Sequence, residues 1–185
     1  MSDTQWPRFE VFQQDKPGQL HYNAGSVHAP DAEMALLNAR DVFARRPRCH
    51  SMWVVPVSAI SAWTYQELVE RVWAADGSGA AAASPQPYAI FRKELNSRNT
   101  LEHVIYTGEV AAASPEDALQ QARTAFDDGV PVAVWWVVPT WAITRSDPEE
   151  VGSFYEPALS KQYRQPNHYH TRAALEHFRQ TVKEA

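Results

Sequence analysis

A single cysteine, Cys49, occurs among the 185 residues. An internal disulfide is excluded, and the composition suits a reducing compartment, the cytoplasm. No catalytic signature surrounds Cys49, so it reads as a small half-buried residue before it reads as a nucleophile. Long apolar runs are missing too. A bilayer span needs about 20 consecutive apolar residues; the longest candidate, 130–143, is shorter and holds Pro131 and Pro139. The N-terminus has neither a basic start nor an apolar core, so no signal peptide is expected. There is no CxxC pair, no Gly-rich phosphate loop, no G-x-S-x-G elbow and no H-E-x-x-H. Glu-x-x-His, half of a carboxylate-bridged di-iron site, is absent as well. His168-Tyr-His170 is the nearest approach to a ligand pair, but no third ligand lies near it in sequence. No metal, cofactor or catalytic residue is therefore expected in this chain. An excess of basic charge is also lacking: the net charge is −5. The one basic cluster, Arg40, Arg45, Arg46 and Arg48, reads as a helix end or a patch for an acidic protein, and nucleic-acid binding is not expected.

What the chain has in plenty is tryptophan, at positions 6, 53, 63, 73, 135, 136 and 141. Trp anchors cores and protein interfaces alike. Two of these residues belong to a repeat. Trp53-Val-Val-Pro56 returns as Trp136-Val-Val-Pro139, and the same offset of 83 aligns 25–60 with 108–143 without a gap, 15 of 36 positions being identical. Upstream, Phe9-Glu-Val-Phe12 faces Tyr88-Ala-Ile-Phe91 at an offset of 79. Each copy reads as strand, strand, helix, strand.

In the first copy, strands over 7–14 and 20–29 flank the turn Asp15-Lys-Pro-Gly18, and a helix starting at Asp31 carries Ala35, Leu36, Ala39, Val42 and Phe43 on its apolar face. In the second, strands over 88–94 and 101–112 precede a helix capped by Ser114. Pro115 stands at its first position, and Ala118, Leu119, Ala122, Ala125 and Phe126 form its stripe. The last strands, 51–57 and 132–140, are apolar almost throughout, as strands buried on both faces are. One helix covers only one face of a three-stranded sheet. The other copy is the simplest cover for the second face.

The expected fold is therefore α+β. It has two tandem β-β-α-β repeats, each a small mostly antiparallel sheet with one helix, packed as an intramolecular pseudo-dimer with the Trp53 and Trp136 strands near its centre. Trp53, Val55, Phe43, Trp136, Val138 and Phe126 are the expected core and interface. The divisions are 1–62 for the first repeat, 63–86 for a short helix (64–75) and flexible linker, 87–146 for the second repeat, and 147–185 for an extended tail with a C-terminal helix over 172–182. Pro148, Pro157 and Pro166 forbid one long helix in the tail. Its spaced aromatic and basic residues, Phe154, Tyr155, Lys161, Tyr163, Arg164 and Tyr169, mark it either as a segment for a partner's surface or as a tail packed on its own domain.

A family resemblance rests on Trp6-Pro-Arg-Phe-Glu-Val-Phe12, Gly25-Ser-Val-His-Ala29, Glu33-Met-Ala-Leu36, Asn38-Ala-Arg-Asp41 and Ser51-Met-Trp-Val-Val55. In the tail it rests on Phe154, Glu156-Pro-Ala158, Ser160-Lys161, Tyr163-Arg164, Pro166 and Tyr169. Together these resemble the PaaB family, the small B component of the multicomponent phenylacetyl-CoA epoxidase. The resemblance implies a non-catalytic, cytoplasmic bridge that joins oxygenase assemblies. Its implied partners are a ferritin-like di-iron catalytic subunit and a structural subunit of the same fold, with self-association a further possibility. Members are about half this length, so the chain resembles two such subunits fused, the first tail replaced by a helix and linker. A second reading is a stand-alone module binding a CoA ester between the repeats. A third is an enzyme using Cys49 or His168 and His170.

Overall fold

The computed structural model describes residues 5–44, 49–70, 84–95, 103–126, 128–159, 176 and 180. In the first half, β1 (Arg8–Gln14), β2 (Tyr22–His28), α1 (Ala32–Phe43) and β3 (Ser51–Pro56) follow in order. The second half repeats them as β5 (Gln86–Glu94), β6 (Ile105–Ala112), α3 (Pro115–Ala125) and β7 (Val132–Pro139). Local chemistry sets the helix starts. The Asp31 carboxylate accepts the Met34 N–H at 2.8 Å, and the Ser114 hydroxyl accepts the Asp117 N–H at 3.1 Å with Pro115 in the first turn.

The two halves also share their irregularities. Val11 faces Gly25 and Phe12 faces Asn23, so Ala24 is left over as a bulge. Ile90 faces Gly108 and Phe91 faces Tyr106, leaving Thr107, the residue 83 places on. Just beyond each bulge stands a glycine that both copies keep. A Cβ on Gly25 would lie 2.9 Å from Cζ of Phe43, and one on Gly108 would lie 2.6 Å from Cζ of Phe126. The Phe ring at the end of each helix needs the bare glycine beneath it, so Gly25/Gly108 and Phe43/Phe126 are matched pairs.

Each half continues past its last β-β-α-β strand. A one-turn 3₁₀ helix, Val57–Ala59 or Thr140–Ala142, leads into a further strand, β4 (Ser61–Thr64) or β8 (Thr144–Arg145). These two strands cross over. β4 leaves the first half to pair with β7, and β8 leaves the second half to pair with β3. The result is one eight-stranded sheet in the order β4-β7-β5-β6-β2-β1-β3-β8. Between β6 and β2 the halves meet edge to edge. Tyr22 stands opposite Ile105, the Asn23 N–H donates to the Val104 carbonyl at 2.7 Å, and the Tyr106 N–H donates to the His21 carbonyl at 2.8 Å. Those two bonds interchange under the offset of 83, so the seam is a pseudo-two-fold axis.

The strand order puts β3 and β7 one place in from the edges, and the centre of the sheet is the hydrogen-bonded β6–β2 seam. The apolar faces of β3 and β7 nevertheless meet. β1 and β5 are three places apart, which in a flat sheet is roughly 14 Å. The Phe12 and Phe91 rings lie with centroids 4.2 Å apart. The sheet therefore folds over on this face and encloses a shared core of Phe12, Val55, Ala89, Phe91, Val104, Val138, Ala142 and Ile143. Trp53 and Trp136 pack against it half-buried.

On the opposite face each helix covers its own core, and each core is closed by the other half's extension. Trp63 of β4 and Leu68 of α2 (Tyr65–Glu70) join the α3 core. Tyr155 joins the α1 core from α4 (Val151–Leu159), with Val151 and Phe154 against it. Val42 and Ala125 fall outside the stripes expected of them and are exposed, because 100° per residue carries each to the flank of its helix.

The extended tail expected over 147–166 is corrected over Val151–Leu159, where the chain forms α4, and 160–166 lie outside the described residues. Pro148 precedes this helix and only Pro157 lies within it, near its end. The Asp147 carboxylate accepts the Glu149 N–H at 2.8 Å ahead of the first turn. Burial of an aromatic pair then outweighs the low propensity of the segment. Of the 64–75 helix, Tyr65–Glu70 is seen, its capping box intact: Glu67 accepts the Thr64 N–H at 2.8 Å. The remainder of that helix, most of the linker, and nearly all of the 172–182 helix lie outside the described residues. Among the described residues no helix is long and apolar enough to cross a membrane.

Candidate functional site

The pseudo-symmetry makes departures from it visible, and one group of them surrounds Trp53. His21 is buried and stacks on the Trp53 ring at 3.7 Å, its Nε2 being 3.0 Å from the Ser51 hydroxyl. Arg145, on β8, lies over the same indole at 4.8 Å and reaches Glu109 of β6 at 3.3 Å. Tyr106 meets the indole edge-on. The residues 83 places away are Val104 for His21, Val134 for Ser51 and Ala62 for Arg145. Around Trp136 the equivalent places are thus apolar, and Phe12 supplies the edge-on ring. At these three positions one half is polar where its twin is hydrocarbon.

Below this lies a second polar group. Ser146 gives its backbone N–H to the Met52 carbonyl at 2.8 Å and accepts the Met52 N–H on its hydroxyl at 3.0 Å. Tyr155 of α4 donates its hydroxyl to the same Ser146 oxygen at 3.2 Å. The Cys49 thiol donates to the Ser51 carbonyl at 3.3 Å. Burial lowers the pKa of His21 to about 4, with the Arg145 charge adding to it, so the ring is neutral near pH 7. Burial raises Cys49 to about 11, so the thiol stays protonated. Tyr155 is raised by the same cause. The arrangement holds two halves and a tail together through neutral hydrogen bonds and the Arg145–Glu109 ion pair. Among the described residues no carboxylate bonds to the second ring nitrogen of His21, the group that would orient it as a general base. Nor do three His, Cys, Asp or Glu come together as a metal site among these residues.

The expected site residues fall into separate places. Phe154 and Tyr155 lie against the first half, Arg40 donating to the Phe154 carbonyl at 3.4 Å with its guanidinium 5.2 Å over the Phe154 ring. Lys161, Tyr163, Arg164 and Tyr169 lie outside the described residues, as do His168, His170, Arg45, Arg46 and Arg48. Val55 and Val138 are fully buried in the shared core, Trp53 and Trp136 stand half-buried beside it, and Phe43 and Phe126 sit under the helices. Trp63 and Trp135 are buried, whereas Trp6 and Trp141 are 61% and 76% exposed. None of His21, Ser51, Arg145 and Ser146 is among the site residues expected from sequence. The signal that finds them is a repeat position where one copy is polar and the other apolar.

Comparison with known proteins places this geometry in context. The family model for Phenylacetic acid degradation B matches twice, over residues 5–79 and 85–176. The chain is 50% identical over 62 residues to the B component of the 1,2-phenylacetyl-CoA epoxidase of Escherichia coli (strain K12). That match covers 34% of this chain and 65% of the relative, whose whole length is about half that of this chain. No solved structure matches.

Proposed function

The chain belongs to the PaaB family, and on that premise we propose that it is a non-catalytic accessory subunit of a phenylacetyl-CoA epoxidase-type oxygenase, bridging its catalytic assemblies. The observation that carries this reading is the double family match laid over one continuous sheet. Two B-type units stand here in one chain, joined about a pseudo-two-fold seam as an intramolecular dimer. His21, Cys49 and Tyr155 are buried in neutral form and hydrogen-bonded to their own scaffold, which fits a holding role. The partners in this reading are the ferritin-like catalytic subunit and its structural counterpart, and the chain works in the cytoplasm. Phe154 and Tyr155 seat the tail on the first half; Lys161, Tyr163, Arg164 and Tyr169 beyond it meet the partner.

Sedimentation velocity of the chain mixed with the purified catalytic and structural oxygenase subunits tests this. A single heavier species is expected, weakened when residues 160–185 are deleted. Independent sedimentation at micromolar concentrations would remove the reading.

A further inference from the structure

The contacts between the halves fall into two sets. The middle of the shared core is made of residues alike in both copies: Phe12 and Phe91, Val55 and Val138, Ile60 and Ile143. An interface of such matched residues is self-complementary, so it serves a pair of like halves as well as a pair of unlike ones. The outer contacts do not have that property.

Trp53 of the first half meets two side chains of the second. Tyr106 stands edge-on to the indole, centroids 5.1 Å apart, and the Arg145 guanidinium lies 4.8 Å over the ring. The residues 83 places earlier are Asn23 and Ala62. A first half paired with its own copy would offer Trp53 neither an aromatic edge nor a cation there. The extensions repeat the pattern. Just past β8, Ser146 makes two hydrogen bonds with the Met52 backbone and takes the Tyr155 hydroxyl on its own. The equivalent residue in β4 is Trp63, which stands opposite Trp135, the equivalent of Met52. Both of these indoles are buried in the α3 core. Like halves would instead set Trp63 against Met52, or Ser146 against Trp135, and two first halves would leave the α1 core without Tyr155.

We propose that the surface of the first half around Trp53 and Met52 recognises the second half and discriminates against a copy of the first. Specificity is a difference between two affinities. The common middle supplies affinity to either pairing, and Tyr106, Arg145 and Ser146 supply the difference. The partner is chosen by these side chains and not by the covalent join between the halves. The chain is therefore a pair of unlike units in a fixed one-to-one ratio, whatever assembly it enters.

The test keeps the full chain and cuts it after folding. A protease site replacing residues 77–82 is cleaved, the two pieces are shuffled by unfolding in urea and dilution, and native mass spectrometry weighs the pairs that return. The unlike pair should make up more than about nine in ten of them. Tyr106→Asn with Arg145→Ala writes into the second half what the first half holds at those places. It should lower the ratio of unlike to like pairs at least about tenfold, through loss of the aromatic edge and the cation. Arg145→Lys, which keeps a cation over the indole, should hold the ratio near that of the unaltered chain. Pieces that part on cutting, or that recover no pair, would show that the join makes the choice and overturn the proposal. Like and unlike pairs in random proportion would overturn it too, as would an unchanged ratio in the Tyr106→Asn, Arg145→Ala chain.

Discussion

The two halves of the chain are one design executed twice with different fillings. The first half surrounds Trp53 with His21, Ser51 and Arg145 and accepts a tail helix through Tyr155. The second surrounds Trp136 with Val104, Val134 and Ala62 and is closed by Trp63 and Leu68. What is common to both is what the fold needs: the bulge, the glycine under the phenylalanine, the capped helix and the buried strand. What differs is free to serve a use that only one half has. The exchange of β4 and β8 lets one half specialise, because neither half has to close its own core.

The comparison breaks most heavily at the shared core. Phe12→Ala removes a fully buried ring that touches Phe91 and Trp136 of the other half, and it should cost about 3–5 kcal/mol. Urea denaturation should show one transition by tryptophan fluorescence and by far-UV circular dichroism, with Phe91→Ala behaving alike. Two separated transitions would mean that the halves do not share a core. Next come the matched glycines. Gly25→Ala and Gly108→Ala should each cost about 1–3 kcal/mol through overpacking on the Phe ring. Gly25→Ala should cost the more, because its φ of +139° also disfavours a side chain. Phe43→Leu and Phe126→Leu should each rescue only the glycine variant of their own half.

A subtler break concerns pH. Unfolded, His21 takes up a proton near pH 6.5; folded, it resists until about pH 4. The unfolded state therefore binds more protons in that window. The contribution is fully present above pH 6.5 and is lost as pH falls toward 4. His21→Val, which copies the second half, should flatten the pH dependence of the urea midpoint between those values; an unaltered slope would assign it to other groups. The smallest effect belongs to Arg145→Ala. Its pair with Glu109 is 43% and 41% exposed on the two sides, so the loss should be below about 1 kcal/mol and shrink with added salt.

Much of this architecture was legible in the residues. The offset of 83 and the Trp-Val-Val-Pro tetrapeptides placed the repeat, and Asp31, Ser114 and Pro115 placed the helix starts. The crossing strands were not legible, because four residues in β4 and two in β8 are too few to show a period. The helix of α4 is obscured by its prolines, although Pro148 precedes the first turn and Pro157 falls in the last, so neither breaks it. The polar cluster was hidden for a different reason. His21, Ser51 and Arg145 are far apart in sequence, and none has a polar counterpart in the other copy, so a search for what the copies share passes over them. Of the surplus tryptophans, Trp63 and Trp135 turned out to close a core, while Trp6 and Trp141 stand on the surface.

Hydrogen exchange of the full chain, measured by mass spectrometry with and without the Phe12→Ala substitution, tests the shared core most directly. The account predicts faster exchange in the peptides covering both 51–56 and 132–139, because the Phe12 ring packs on Phe91 and Trp136 of the second half. Faster exchange confined to the first half would contradict it.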